Sequence, residues 1–566
     1  MYITKKWVIA KNDEDKVNNL MKQYKIGRIA ALVLQNRPQL IVNGKLNDST
    51  AFYDPFLMKG MKEGVEHIAS ALKNGEQITI YGDFDADGVT STSVLYMYLK
   101  DRGANVDYYI PDRVDEGYGI NKKALETIKQ RGTNLLITVD TGITAVQELS
   151  NVEDDKFKVI VTDHHEPKED IPKCTAVIDP KQFGCGYPFK ELAGVGVVFK
   201  IIQAIEGVDS PKMQELIKEY SPFVCLGTVA DVAPITDENR TFVKLGLKYF
   251  TTSTNKGLRA LLEATNPTNK PITSAMIGFV IAPRINAAGR LGSAKKSADM
   301  FLCDDSNLAK EIAMQLIEDN KHRQQMEHEI YLQAIDIIEK QGYSNDKIIV
   351  VAHKDWHQGV VGIVSSKITE RYYKPSILIS ISEDGKGKGS GRSIEEFNLF
   401  EALTNSSSHL DRFGGHCLAA GLSIMQENID DFRKDINKYA SNNVGAAKNT
   451  TPKLFIDAKI TSKDVSMESI EDLKALEPFG MGNSIPVFAM SNLRVTLCTT
   501  MSEGKHLRMK LLQGTKTIDA IGFGMGHLMD SFIMNDVVDI VGTLNVNEYN
   551  GRMNLQILLK DIRRSN

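Results

Sequence analysis

Between about residues 75 and 235, short apolar runs alternate with stretches of helical periodicity. Gln77–Tyr81, Val106–Ile110, Leu135–Val139 and Val159–Thr162 each have the length and β-branched content of a buried strand, and the first leads into a helical stretch from about Thr90 to Asp101. Strand–helix–strand alternation predicts an α/β fold: a parallel sheet with helices on both faces. Ligands of such sheets bind beyond the carboxyl ends of the strands.

Further along, Leu308, Ile312, Leu316, Met326, Ile330 and Ile337 keep near-helical spacing. With Ser306 as N-cap and Gly342 as the stop, they predict one long helix or two abutting ones, a natural connector between domains. A second α/β pattern starts at Ile348–Val351 and runs to about residue 440, where Ala440–Ala447 reads as a linker. Residues 452–566 read as short strands with little helix, and Asn550-Gly551 is a hairpin-turn signal. A small β-barrel of the OB type is expected there. The predicted organisation is an N-terminal segment (1–50), an α/β domain (51–305), a connector helix (306–342), a second α/β domain (343–440) and the barrel (452–566).

The chain has 566 residues, too many for one core. A net charge of -4 neither favours nor excludes a nucleic-acid partner, since one basic groove suffices. The six cysteines form no C-x-x-C pair, which argues against a zinc ribbon or disulfide framework and suits a reducing compartment. No apolar run approaches the roughly 18 residues of a membrane span, and the start carries no signal-peptide core, so no membrane is expected and the cytoplasm is the expected location. Gly194-Val195-Gly196 is not a dinucleotide fingerprint, because its third glycine position is Phe199. No P-loop is present.

Polar groups gather at the ends of the apolar runs: Asp83-Phe84-Asp85-Ala86-Asp87-Gly88, Asp140-Thr141-Gly142, Asp163-His164-His165, Asp179-Pro180 and Asp231. Singly, each has an ordinary reading. Asp-Gly pairs make turns, His164-His165 suits a surface, Asp179-Pro180 suits a turn, and Asp140 or Asp231 suits a helix N-cap. An EF-hand reading of the first group fails, since its twelfth position is Val94. Together, carboxylates at adjacent strand ends repel unless cations lie between them. Oxygen ligands with one or two imidazoles suit Mn²⁺ or Mg²⁺, and a pair of such ions activates water for in-line attack on phosphorus.

These groups resemble the DHH phosphoesterase superfamily, and within it most closely the single-strand-specific exonucleases. The resemblance covers nearly the whole chain: YGDFDADGVTSTS (81–93), IPDR (110–113), ITVDTG (137–142), VTDHHEP (161–167), GTVADVAP (227–234), APRINAAGRLG (282–292), GSGRS (389–393), FGGHCLAAG (413–421) and LEPFGMGN (476–483). It implies a DHH domain over 51–305, a substrate-binding DHHA1-type domain over 343–440 and a nucleic-acid-binding OB domain over 452–566. Asp85 and Asp140 are implied to hold one metal, and Asp87, Asp140, His164 and Asp231 the other. His165 is implied to contact the scissile phosphate, with Asp83 close by. Family members often carry a histidine four residues before the first ligating aspartate; here that residue is Tyr81, which leaves the first metal a ligand short.

The resemblance further implies that Arg113, Arg290, Ser390, Gly391 and Arg392 hold a 5′ phosphate and that His416 touches the substrate backbone. The glycines of 385–391 would let backbone N–H groups approach the phosphate. A narrow entrance between the α/β halves would exclude duplex, and Arg494, Lys505, Arg508, Lys510 and Arg552 would hold the strand on the barrel. The implied activity is metal-dependent 5′→3′ hydrolysis of single-stranded DNA to 5′-mononucleotides, in recombination and repair. Implied partners are a single-strand-binding protein and a helicase, with a monomer as the default state. Two alternatives remain: a small-substrate phosphodiesterase of the superfamily (an oligoribonuclease or cyclic-dinucleotide phosphodiesterase), or a non-catalytic DNA-binding relative.

Overall fold

The computed structural model describes residues 5–46, 51–113, 116–117, 119–442, 451–549 and 552–565. The first sheet has five strands: β1 (Gln77–Gly82), β2 (Asn105–Tyr109), β3 (Leu135–Val139), β4 (Lys158–Thr162) and β5 (Ala176–Ile178). All pair in parallel, in the order β2-β1-β3-β4-β5. The chain therefore leaves β1 to one side and returns on the other, and a crevice opens at the carboxyl ends of β1 and β3.

The helix after β1, α1 (Ala86–Asp101), begins four residues before the predicted start. Asp85 is its N-cap, accepting from the amides of Asp87 and Gly88 at 2.9 and 3.1 Å. Its first two turns are buried on every side, so they show no polar face to read. The hydroxyls of Thr90, Thr92 and Ser93 bond the helix's own carbonyls, which makes their burial tolerable. Helices α2 (Gly194–Glu206) and α3 (Met213–Ala230) pack against it, and α4 (Ala282–Leu291) follows a π-helical turn, Ile277–Ile281.

The connector is one helix of 36 residues, α5 (Ser306–Gln341). Its N-cap is Asp305 rather than Ser306, because the carboxylate reaches the amides of Asn307 and Leu308. Gly342, at φ +72°, ends it as expected. The buried stripe runs through Ala309, Ala313, Leu316, Ile330, Ala334 and Ile338, while Leu308 faces solvent. Alanines allow close approach to neighbouring elements, and midway Glu327 is buried between Arg323 and Lys367.

The second sheet contains β6 (Ile349–His353), β7 (Ser376–Ile381), β8 (Lys386–Arg392), β9 (Arg412–Gly415) and β10 (Ala419–Met425), in the order β9-β10-β8-β7-β6. Helix α6 (Val361–Tyr372) lies against β7 and β8. A last helix runs Ile429–Asn442, so Ala440–Asn442, read as linker, are helical; Ala440 is buried in the core. The rest of that stretch, 443–447, lies outside the described residues.

The C-terminal region is a closed five-stranded barrel of β11 (Phe488–Met501), β12 (His506–Gln513), β13 (Lys516–Gly522), β14 (Val537–Tyr549) and β15 (Arg552–Arg564), with β14 pairing back onto β11. The strands are longer than expected, up to 14 residues, and register shifts in β11 and β14 let them bend around the barrel. β14 and β15 pair as far as Tyr549 opposite Arg552; Asn550-Gly551 lies outside the described residues. The start of the chain belongs to this unit. Strand Lys6–Ile9 pairs in parallel with Lys453–Ile456, and Val17, Leu20, Ile29 and Leu32 join the barrel core.

Candidate metal centre and substrate cleft

The carboxyl ends of β1, β3 and β4 bring the acidic groups together. Asp83, Asp85 and Asp140 each offer a ligand atom within 4.8 Å of the others, and so do Asp87, His164 and Asp231. His164 Nε2 stands 3.0 Å from Asp140 and 3.8 Å from both Asp87 and Asp231. Asp140 thus lies between the two groups, with its backbone in the left-handed region at φ +59°. It caps no helix. Asp231 does not follow a strand: it ends α3, and Val232 after it is at φ +59°. A β-branched residue in that region is strained, a feature that clusters at functional sites.

Divalent cations fit this centre. Asp140 Oδ1, His164 Nε2 and Asp83 Oδ1 are buried with no hydrogen-bond partner, although Asp140 and His164 nearly touch. Burial, then the charge of Asp231, pushes Asp87 up to about 7, and burial, then Asp85, does the same to Asp231. Asp83 and Asp140 are driven well above the carboxylate range by burial and by their acidic neighbours. Burial lowers His164, which favours the neutral imidazole a metal needs. A cation between the carboxylates would offset both the burial and the mutual repulsion that raise them.

Several supporting residues went unread in the sequence. The α2 amides of Gly194 and Val195 donate to Asp87 at 2.7 and 3.0 Å. A Cβ on Gly194 would lie 2.7 Å from Asp140, and one on Gly227 2.6 Å from Asp87 Oδ1. Asn286 of α4 accepts from the Ala86 amide at 2.8 Å. Asp163 is no ligand; it receives Nδ1 of His165 at 2.7 Å. The glycines at the start of α2 and within α3, and the one Asn in APRINAAGR, were the available signals. Tyr81 turns away, its hydroxyl donating to the Gly119 carbonyl and its ring stacking on Tyr109, and Asp83 occupies the place beside Asp85 and Asp140. Asp179 is buried after β5, its carboxylate accepting from the Lys181 amide.

Beside the metal centre, a cleft of about 710 Å³ opens between the two α/β domains. Arg113, Arg290, Ser390 and Arg392 line it, along with Phe84, whose ring lies under the Arg113 guanidinium. Burial and mutual repulsion lower Arg290, to about 10, and Arg392. Gly391 is not on this surface. Segment 386–392 is β8, paired on both sides with β7 and β10, so its amides are spent in the sheet and, contrary to expectation, these glycines offer no backbone cradle to a phosphate. Gly387, Gly389 and Gly391 face inward, where a Cβ would strike Ile379, Leu422 and Leu399. His416 is exposed on the turn between β9 and β10, outside the cleft lining. On the barrel, Arg494 and Arg508 are exposed, while Lys505 pairs with Glu503 and Lys510 with Asp519; the Arg552 side chain lies outside the described residues.

This fold and centre define a metal-dependent phosphoesterase of the DHH type, and sequence comparison agrees. The DHH family N-terminal domain matches residues 77–228, the DHHA1 domain residues 345–442 and the RecJ OB domain residues 456–561. The chain is 40% identical over 565 residues to the single-stranded-DNA-specific exonuclease RecJ of Bacillus subtilis, covering 98% of this chain and 70% of that protein. It is 33% identical over 531 residues to the RecJ of Dickeya dadantii, covering 89% and 91%. The crystal structure of RecJ in complex with Mn²⁺ from Thermus thermophilus superposes with a TM-score of 0.83 at 29% identity, covering 99% of this chain and 80% of that one. The chain belongs to the RecJ family of single-stranded-DNA-specific exonucleases.

Proposed function

We propose that the chain hydrolyses single-stranded DNA from its 5′ end and releases 5′-mononucleotides, in recombination and repair. The observation that carries the reading is the adjacency of a clustered-carboxylate centre and a cationic cleft, joined through the Asp83-Phe84-Asp85 turn. Asp83, Asp85 and Asp140 would hold one divalent ion, Mn²⁺ or Mg²⁺, and Asp87, Asp140, His164 and Asp231 the other. When bound, such ions activate water and neutralise charge on the phosphate.

The protein's own groups do the rest. Asp163 engages Nδ1 of His165, so the ring is held as a cation that can present Nε2 to a phosphate or leaving oxygen. Arg113, Arg290, Ser390 and Arg392 grip the terminal 5′ phosphate, placing the next phosphodiester at the metal centre, which yields mononucleotides and 5′→3′ polarity. The exposed Arg494 and Arg508 guide the strand over the barrel. Six free cysteines suit the reducing cytoplasm. We further propose that the chain works as a monomer, with a single-strand-binding protein and a helicase supplying its substrate.

Digestion of a 5′-phosphorylated single strand labelled at either end, with Mn²⁺, beside its duplex and an RNA copy, tests this. Early release of mononucleotides from the 5′ label, duplex and RNA spared, and loss of cutting in Asp140→Ala are expected. Cutting of dinucleotides alone would favour a small-substrate enzyme. Strand binding without any cutting would favour a DNA-binding protein.

A further inference from the structure

We infer that the cleft contains a second anion subsite, one step beyond the place proposed for the terminal phosphate, and that it receives a polyphosphorylated 5′ end of a single strand. The inference rests on the proposed role of Arg392 and Ser390.

Strand β8 presents alternate residues to the cleft: Arg392, Ser390 and then Lys388, with glycines facing inward between them. Across the sheet, Lys388 is paired with Ser423 and Ser423 with Arg412, so these three side chains form one row. The row of Ser390, Gly421 and Gly414 lies beside it, displaced by two residues, roughly 7 Å. All six residues line the cleft. The two glycines leave a flat floor: a Cβ on Gly414 would meet nothing within 4 Å, and one on Gly421 only a carbonyl at 3.9 Å. The floor connects the Arg392 end to the Lys388 and Arg412 end without obstruction.

Charge argues the same way. Five cations line the cleft (Arg113, Arg290, Lys388, Arg392 and Arg412), and no carboxylate does among the described residues. A terminal monophosphate is served by Arg113, Arg290 and Arg392. That leaves Lys388 and Arg412 facing open space beside it, where further linked phosphoryl groups would complete the charge balance. Such ends occur wherever a strand begins with an unprocessed nucleoside triphosphate.

The test is binding of the full chain, in EDTA so that nothing is cut, to one short strand ending in 5′-triphosphate, 5′-monophosphate or 5′-hydroxyl. The wild type is expected to bind the triphosphate end about tenfold more tightly than the monophosphate end. Its affinity should also fall more steeply with salt, by about one unit of log–log slope. The Lys388→Ala/Arg412→Ala double variant should lose both differences yet keep its monophosphate affinity. Arg392→Ala should weaken both phosphorylated ends. Equal binding of tri- and monophosphate ends by the wild type, with both above hydroxyl, would sink the second subsite alone. Equal binding of monophosphate and hydroxyl ends would remove the first subsite and the inference with it. Free tripolyphosphate displacing the strand at equal concentration would overturn the assignment to a strand end.

Discussion

His165 donates from Nδ1 to Oδ1 of Asp163 at 2.7 Å, and the same oxygen receives the backbone amides of His164 and His165. Oδ2 of Asp163 receives the Ile143 amide at 2.8 Å. Burial alone would lower the His165 pKa, but the bond and charge of Asp163, reinforced by Asp231 and Asp83, raise it to about 9. On the proposed role of His165 at the phosphate, Asp163 would act through that ring. Asp163→Asn should lower kcat by about 10²-fold or more, with little change in KM for the strand or in Mn²⁺ affinity. His165→Gln should show the same deficit, and the double variant should be no worse. Additive losses on steady-state kinetics would mean that the two residues work separately.

Gly194 holds the metal centre from the other side. Its amide fixes Asp87 while its missing side chain makes room for Asp140. Gly194→Ala should weaken Mn²⁺ binding by about 10–100-fold, the usual effect of disturbing groups that orient ligands. Calorimetric titration measures it. Gly196→Ala, whose Cβ would meet only the movable Leu192 side chain at 3.3 Å, should titrate like the wild type.

Legibility in the sequence followed the range of the interactions. β1, β3 and β4 are buried β-branched runs, so their ends were plain, and with them the positions of Asp83, Asp85, Asp87, Asp140 and His164. Asp231 was found by its motif, but its setting at a helix end was not, because α3 is apolar on most faces and contains Pro222. The glycines of β8 suggested a phosphate cradle because their reason is tertiary: Ile379, Leu422 and Leu399 leave no room for a Cβ. The pairing of Lys6–Ile9 with Lys453–Ile456 joins the start of the chain to the beginning of the C-terminal region, and no local pattern encodes it. Arg37, which binds Asp457 and Asn483, belongs to the same long-range contact.

Lys200 and Glu238 form a fully buried ion pair at 3.1 Å, with the Tyr187 hydroxyl and the Tyr53 amide also donating to Glu238. Burial lowers the Lys200 pKa and raises that of Glu238. Lys200→Met strands a buried carboxylate and should cost about 3–5 kcal/mol in urea unfolding, whereas Lys200→Met with Glu238→Gln should recover most of that loss. A double variant as unstable as the single one would show that the lysine's packing, rather than its charge, is what matters.

Asp179 gives the protein a specific dependence on pH. Burial first, and the charge of Asp163 next, raise its pKa to about 8. In the unfolded chain it titrates near 4. Between those values the folded protein keeps a proton that the unfolded chain releases, so this residue's contribution to stability falls as pH rises, and the fall ends above about pH 8. Asn at this position retains an oxygen for the Lys181 amide, which Asp179 binds at 2.7 Å, and cannot ionise. Thermal melts in EDTA should find wild type and Asp179→Asn close together at about pH 5 and the variant more stable at about pH 8. Groups remote from position 179 titrate alike in both proteins, so the difference between the two melting curves reports this carboxyl together with the neighbours coupled to it, Asp163, Lys181 and His165. Curves that stay parallel across the window would mean that Asp179 is ionised in the folded chain, with Lys181 and His165 neutralising it.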